Sequence, residues 1–195
     1  MVLFTDAVVA IAITLLVLPL VEAVSEPATS ALELISHNQA RIWSFLLSFA
    51  VIARFWLLHH RIFEHVKAYS VALMWLNMAW LFTIVFLPFP TGLIGGEHGN
   101  DHFTKAFYVG CVAASSIAQT AVIVLVYLTK DLQLDDNPLS RDNTINAVVS
   151  SCLLVVAFLL AVFVPWVGYY SILLLLLSRP ALVLWRRVRP GSSSG

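Results

Sequence analysis

Six long apolar runs, each bounded by charge, Pro or Gly, divide the chain at residues 2–24, 42–58, 69–89, 103–128, 145–164 and 170–185. A helix needs about 20 mainly apolar residues to cross the hydrocarbon core of a bilayer, so the pattern predicts six transmembrane helices. The fifth and sixth runs are separated only by Pro165-Trp166-Val167-Gly168-Tyr169. Pro and Gly there break the helix, and the aromatic rings suit the headgroup level. The expected fold is an all-α integral membrane protein. Residues 1–188 form a single six-helix transmembrane domain, and residues 189–195 form a flexible Gly/Ser-rich tail of the kind left by cloning. Met1 leads straight into the first run without a basic segment or a small-residue cleavage site, so the first helix is expected to be retained.

Within the first run the helical period sorts the side chains. Ile11, Leu15 and Leu18 fall at i, i+4 and i+7, a single stripe, and Ala7, Ala10 and Thr14 form a neighbouring stripe of small residues that admits a close helix. Periodicity alone reads the three aliphatics as lipid-facing or core. Polar residues inside apolar runs carry more information, because a carboxylate at the bilayer centre costs about 2.5–3.5 kcal/mol on insertion scales. Asp6 is therefore expected near the interface or with partners. Two readings stand side by side: Thr5 or Asp6 caps the free N–H groups of the first turn, or the pair joins a network between helices. Trp56 and His59 share a helical face at i and i+3, and Asn77 lies at a similar depth on the third helix. His59 is expected to bond a carboxylate across helices. Arg54, inside the second run, reads either as a salt-bridge partner in the bundle or as a snorkelling cation.

Composition removes whole classes of function. With 60% hydrophobic and 11% charged residues among 195, the solvent for most of the surface must be lipid. Eleven cations balance eleven anions, so nothing favours a nucleic-acid partner. The cations are unevenly placed: Arg61, Lys67, Lys130, Arg141, Arg179, Arg186, Arg187 and Arg189 fall in segments that a cytoplasmic N-terminus would put inside. Both termini are thus expected in the cytoplasm, with the multi-pass chain in the cell membrane. Cys111 and Cys152 read as small packing residues. His59, His60 and His65 lack the spacing and the companions of a metal site; no metal is expected. Val167-Gly168-Tyr169-Tyr170 matches the TVGYG filter of potassium channels too poorly to count.

Phe4-Thr5-Asp6, the run from Ala10 to Leu18, Trp56-x-x-His59, Trp75-Leu76-Asn77 and Leu87-Pro88-Phe89-Pro90-Thr91 together resemble bacterial members of the transmembrane protein 175 family of potassium channels. The resemblance covers the first three helices and extends to the rest by helix count. It implies six helices per subunit and four subunits around one pore, with the first helix lining that pore without a filter loop. It further implies that Ile11, Leu15 and Leu18 form a hydrophobic constriction and that Thr14 supplies a hydroxyl layer linked to cation choice. Thr5, Asp6, Trp56, His59 and Asn77 would form the polar network at the cytoplasmic ends of the first three helices. Two departures stand out. The place of the family's Arg, four residues before the Phe, precedes Met1, so the chain is expected to be truncated or to begin late, and Thr5 stands where Ser is usual.

The expected function is a tetrameric, modestly potassium-selective cation channel in a bacterial inner membrane. Its partners are potassium ions and the bilayer, its gate is a hydrophobic constriction, and no cofactor is needed. The alternative is a proton-coupled or proton-permeable transporter using Asp6 and His59. Transporters tend to show internal repeats and helices broken by Gly or Pro at mid-membrane. The sequence shows no convincing repeat, and its prolines are expected towards helix ends. An enzyme is not expected, since no nucleophile, metal set or carboxylate pair is visible.

Overall fold

The structure, a computed structural model, describes residues 1–25 and 30–163. They fold into eight α-helices: α1 (Val2–Leu15), α2 (Leu18–Ala23), α3 (Ala31–His37), α4 (Gln39–Phe63), α5 (Val71–Phe86), α6 (Pro88–Gly95), α7 (His102–Leu128) and α8 (Arg141–Phe163). The sixth predicted span, the turn at 165–169 and the tail lie outside the described residues. Four stretches are long and apolar enough to cross a membrane: Val2–Ala23, Gln39–Phe63, Val71–Gly95 and His102–Leu128. The first and third each consist of two helices joined almost end to end.

At those two joints the prolines do sit at helix ends, but at the start of a second helix within the span rather than at the end of the span. Pro19 and Pro88 each occupy the first turn of a second helix, α2 and α6, where a missing N–H is tolerated because first-turn donors have no partner in any case. The chain therefore resumes as helix after each proline, and the third span reaches Gly95 rather than stopping at residue 89. α4 also exceeds its predicted run, because Gln39, Arg41, His59, His60 and Arg61 are compatible with helix although they interrupt the apolar pattern. α3 was not expected at all. Its seven residues follow Ser30, whose hydroxyl accepts from the Glu33 N–H, an N-cap that the apolar scan does not detect.

The bundle is centred on α7, which packs along α8, α5 and α4. Two glycines allow close approaches between helices. A Cβ at Gly95 would lie 2.6 Å from Ser44 Oγ and 3.0 Å from Arg41 Cα, and one at Gly110 would lie 2.9 Å from the Phe158 ring. Polar contacts then join what packing brings together. Ser151 on α8 donates to the Ser116 carbonyl of α7 (3.0 Å), with Thr120 Oγ1 2.6 Å from its hydroxyl. Thr91 on α6 donates to Ser48 Oγ on α4 (2.8 Å), and Ser48 lies 3.0 Å from the Tyr108 hydroxyl on α7. In lipid, where apolar burial between helices gains little, such small-residue contacts and hydroxyl bonds carry association at about 0.6 kcal/mol per bond on average.

Beyond the α4 and α7 termini, two loops clasp one another. Lys67 N–H donates to the Leu132 carbonyl and Leu134 N–H to the His65 carbonyl, both at 2.9 Å, and Lys67 Nζ meets Asp135 at 2.6 Å. Gln133 fastens the clasp by donating to the Val126 and Tyr127 carbonyls at the end of α7.

Candidate pore-lining helix and its polar anchor

α1 has two faces. Thr5, Val9, Ala12 and Leu16 are buried at helical spacing, against a core that includes Ile52, Trp80 and Ile84. On the opposite side of α1 Leu3, Phe4, Ala7, Ala10, Ile11, Thr14 and Leu15 are exposed, and beyond the joint Leu18 of α2 is exposed too; Ile11 is exposed to 59%, Leu15 to 44% and Leu18 to 50%. The two stripes read from the sequence are therefore one continuous free surface. Thr14 interrupts its apolar character. Its hydroxyl donates to the Ile11 carbonyl at 2.8 Å, so the proton is held inside the helix and the oxygen offers only lone pairs outward.

At the start of α1 the buried face is tied to two neighbours. Trp56 Nε1 donates to Asp6 Oδ1 at 2.8 Å. Asn77 Nδ2 donates to Thr5 Oγ1 at 3.1 Å, and His59 Nε2 lies 2.7 Å from Asn77 Oδ1. Because the Asn77 oxygen can only accept, His59 Nε2 is the donor, which fixes the tautomer and leaves Nδ1 as a lone pair. The His59 ring is held in a stack, 4.4 Å from Phe63 and 4.3 Å from Trp80. All five network residues thus come together, in two strands of contact: Asp6 with Trp56, and Thr5 with Asn77 and His59. This corrects the expected bond between His59 and a carboxylate, for His59 faces an amide and the indole N–H takes the carboxylate. It also decides between the two readings of the first turn, since no side chain caps α1 and both Thr5 and Asp6 bond across helices.

Other candidates go elsewhere. His60 sits beside the Trp56 ring at 5.7 Å, and His65 Nδ1 donates to the Asn137 carbonyl, so the three histidines turn to three different partners. Arg54 is half-buried on α4. Cys111 and Cys152 are free thiols. One participant escaped the sequence reading: Gln119 on α7, 2% exposed, donates through Nε2 to the Phe55 carbonyl at 2.8 Å. Its signal was a lone amide in an apolar run.

Residues 1–88, which contain α1 and the whole network, match the family described as endosomal/lysosomal potassium channel TMEM175. A potassium channel of a Chryseobacterium strain is 30% identical over 117 residues, 60% of this chain and 58% of that protein. The endosomal/lysosomal proton channel TMEM175 of Gallus gallus is 24% identical over 140 residues, 69% of this chain but 28% of that protein. The crystal structure of a lysosomal potassium-selective channel TMEM175 homolog from Chamaesiphon minutus superposes with a TM-score of 0.70 at 27% identity. That superposition covers 91% of this chain and 95% of the other. The chain thus spans under two thirds of the curated relatives it matches, and nearly all of the solved one.

Proposed function

We propose that this chain is a member of the TMEM175 family, which its first 88 residues match, and conducts potassium ions through a pore lined by its first helix in a tetramer. The observation that carries the reading is the free face of the first span: Ile11, Thr14 and Leu15 on α1 and Leu18 at the start of α2 are exposed, while the other face of α1 is anchored to α4 and α5. Four copies arranged about an axis would enclose that face. Ile11, Leu15 and Leu18 then form a constriction that closes by dewetting when narrow, and Thr14 offers the ion a neutral oxygen. Six spans per subunit, both termini in the cytoplasm and residues 1–188 as one channel domain complete the proposal, with potassium as the permeant ion and no bound cofactor. The Thr5, Asp6, Trp56, His59 and Asn77 network fixes the rotation of α1, and so decides which face meets the axis. The test is the reversal potential of the purified protein in planar bilayers with unequal potassium and sodium. An ohmic current reversing towards the potassium potential supports the reading, and the absence of cation current refutes it.

Proton permeation is the second reading, favoured by the proton-channel name of the Gallus gallus relative. A pH gradient imposed in the same bilayers separates the two, because a proton pathway moves the reversal potential with pH.

A further inference from the structure

The clasp between the α4–α5 and α7–α8 loops reaches the first helix by two routes. One is apolar. Leu132 and Leu139 of the α7–α8 loop are buried in one core cluster with Ile62 and Phe63 of α4 and Leu73 of α5, and Met1 and Val2 at the start of α1 pack against that cluster. The other is polar. Phe63, at the end of α4, stacks on the His59 ring at 4.4 Å, and His59 bonds Asn77, which donates to Thr5 on α1. Gln133 keys the clasp. It is buried and uses both ends of its amide: Nε2 donates to the Val126 and Tyr127 carbonyls (2.9 and 3.0 Å), and Oε1 accepts from the Leu139 N–H (3.0 Å). Carbonyls in the last turn of a helix lack intrahelical donors, so this side chain supplies what the end of α7 needs. Its backbone pairs with Val66 in an antiparallel bridge, which ties the same loop to the end of α4. The exposed Lys67–Asp135 ion pair adds little beside these bonds.

Resting on the pore-lining reading above, we propose that the clasp keyed by Gln133 is a latch on the gate. Closed, it holds the start of α1 in one rotation; loosened, it shifts the balance between the open and closed pore. The latch residues stand outside the first span, so they act by positioning α1 and not by touching the ion. The coupling runs through packed side chains and hydrogen bonds that are continuous from Gln133 to α1, the physical form such coupling takes.

Two variants push the latch in opposite directions. His65 and Leu134 face each other beside the bridge, joined by the Leu134 N–H to His65 carbonyl bond, and Cα atoms about 5.5 Å apart in such pairs suit a disulfide. Oxidising His65→Cys with Leu134→Cys therefore shuts the latch covalently. Gln133→Leu keeps the bulk of the side chain and removes its three bonds. Single-channel recording of the whole channel in bilayers reads the open probability, with and without dithiothreitol. Oxidation should shift it about 5-fold or more, an effect reversed by the reductant and absent from either single cysteine substitution. Gln133→Leu should shift it the opposite way, with unitary conductance and the potassium-to-sodium permeability ratio at parent values in both. A merely structural clasp would change the melting temperature and leave open probability alone. Parent-like open probability in the oxidised channel, with thiol titration showing the disulfide formed, overturns the proposal. So does parent-like open probability in Gln133→Leu, which decides the matter if the disulfide does not form, as the disulfide decides it if Gln133→Leu does not assemble. A parent that passes no cation at all refutes the pore reading itself, a failure distinct from unchanged gating.

Discussion

Asn77 is the node at which the anchor of α1 is most exposed to a single change. It is fully buried and uses both ends of its amide, accepting from His59 and donating to Thr5. Asn77→Leu keeps a side chain of similar bulk and removes both bonds. Inter-helix hydrogen bonds in membranes are worth about 0.6–1.7 kcal/mol each. The larger cost falls on His59, whose Nδ1 is already without a partner among the described residues, so the substitution strands the other ring nitrogen too. A buried polar group left unmade costs about 1–3 kcal/mol, giving about 2–6 kcal/mol in all. For a chain of this size, with about 2–4 °C of melting temperature per kcal/mol, the expected drop is roughly 4–24 °C, followed by tryptophan fluorescence in detergent with size-exclusion chromatography as a check on assembly. Thr5→Val should cost less, since it removes one acceptor, and combining it with Asn77→Leu should add little, because the shared bond is lost only once. A melting temperature for Asn77→Leu within about 2 °C of the parent, or additive losses in the pair, would refute the reasoning.

The other strand of the anchor predicts its own coupling: Asp6→Ala and Trp56→Phe should show an interaction energy of about 1 kcal/mol in a double-mutant cycle by denaturant titration, larger than that between Asp6 and His59, which bond different partners. Gly95→Ala should destabilise by about 1–3 kcal/mol through overpacking against Ser44 and Arg41, whereas Gly92→Ala, whose added Cβ would meet Pro19 Cγ at 3.9 Å, should leave the melting temperature unchanged or slightly raised. Thr14→Val preserves shape and deletes the outward oxygen, so the potassium-to-sodium permeability ratio should fall in bi-ionic recordings; an unchanged ratio removes Thr14 from ion choice.

Much of this architecture could be read from residue order, and the misses have physical causes. Apolar length located the first four spans because lipid requires it, but it could not show that Pro19 and Pro88 restart helices, since a proline in the first turn and a proline that ends a helix look alike in a hydropathy scan. α3 was hidden because its seven residues carry too little apolar length, and only the Ser30 cap marked it. Thr5, Asp6, Trp56, His59 and Asn77 stood out as polar groups where lipid forbids them, yet their pairing depended on the rotation of α4 against α1 and α5, which no spacing along one helix reveals. Spacing likewise drew Ile11, Leu15 and Leu18 as one stripe but could not say whether that stripe met core, lipid or water. Their joint exposure narrows this to lipid, a neighbouring copy or a pore. Gln119 lay among small residues with no partner visible nearby in sequence, because the Phe55 carbonyl it bonds is on another helix.

The most direct test of the pore-lining claim is the single-channel conductance of Ile11→Asn, Leu15→Asn and Leu18→Asn set against the parent in symmetrical potassium. A constriction that closes by dewetting is kept wet by a ring of amides, so at least one variant should conduct more, or stay open longer, than the parent. Conductance and open time unchanged in all three variants, in protein that still passes potassium, would place the ion path somewhere other than the first helix.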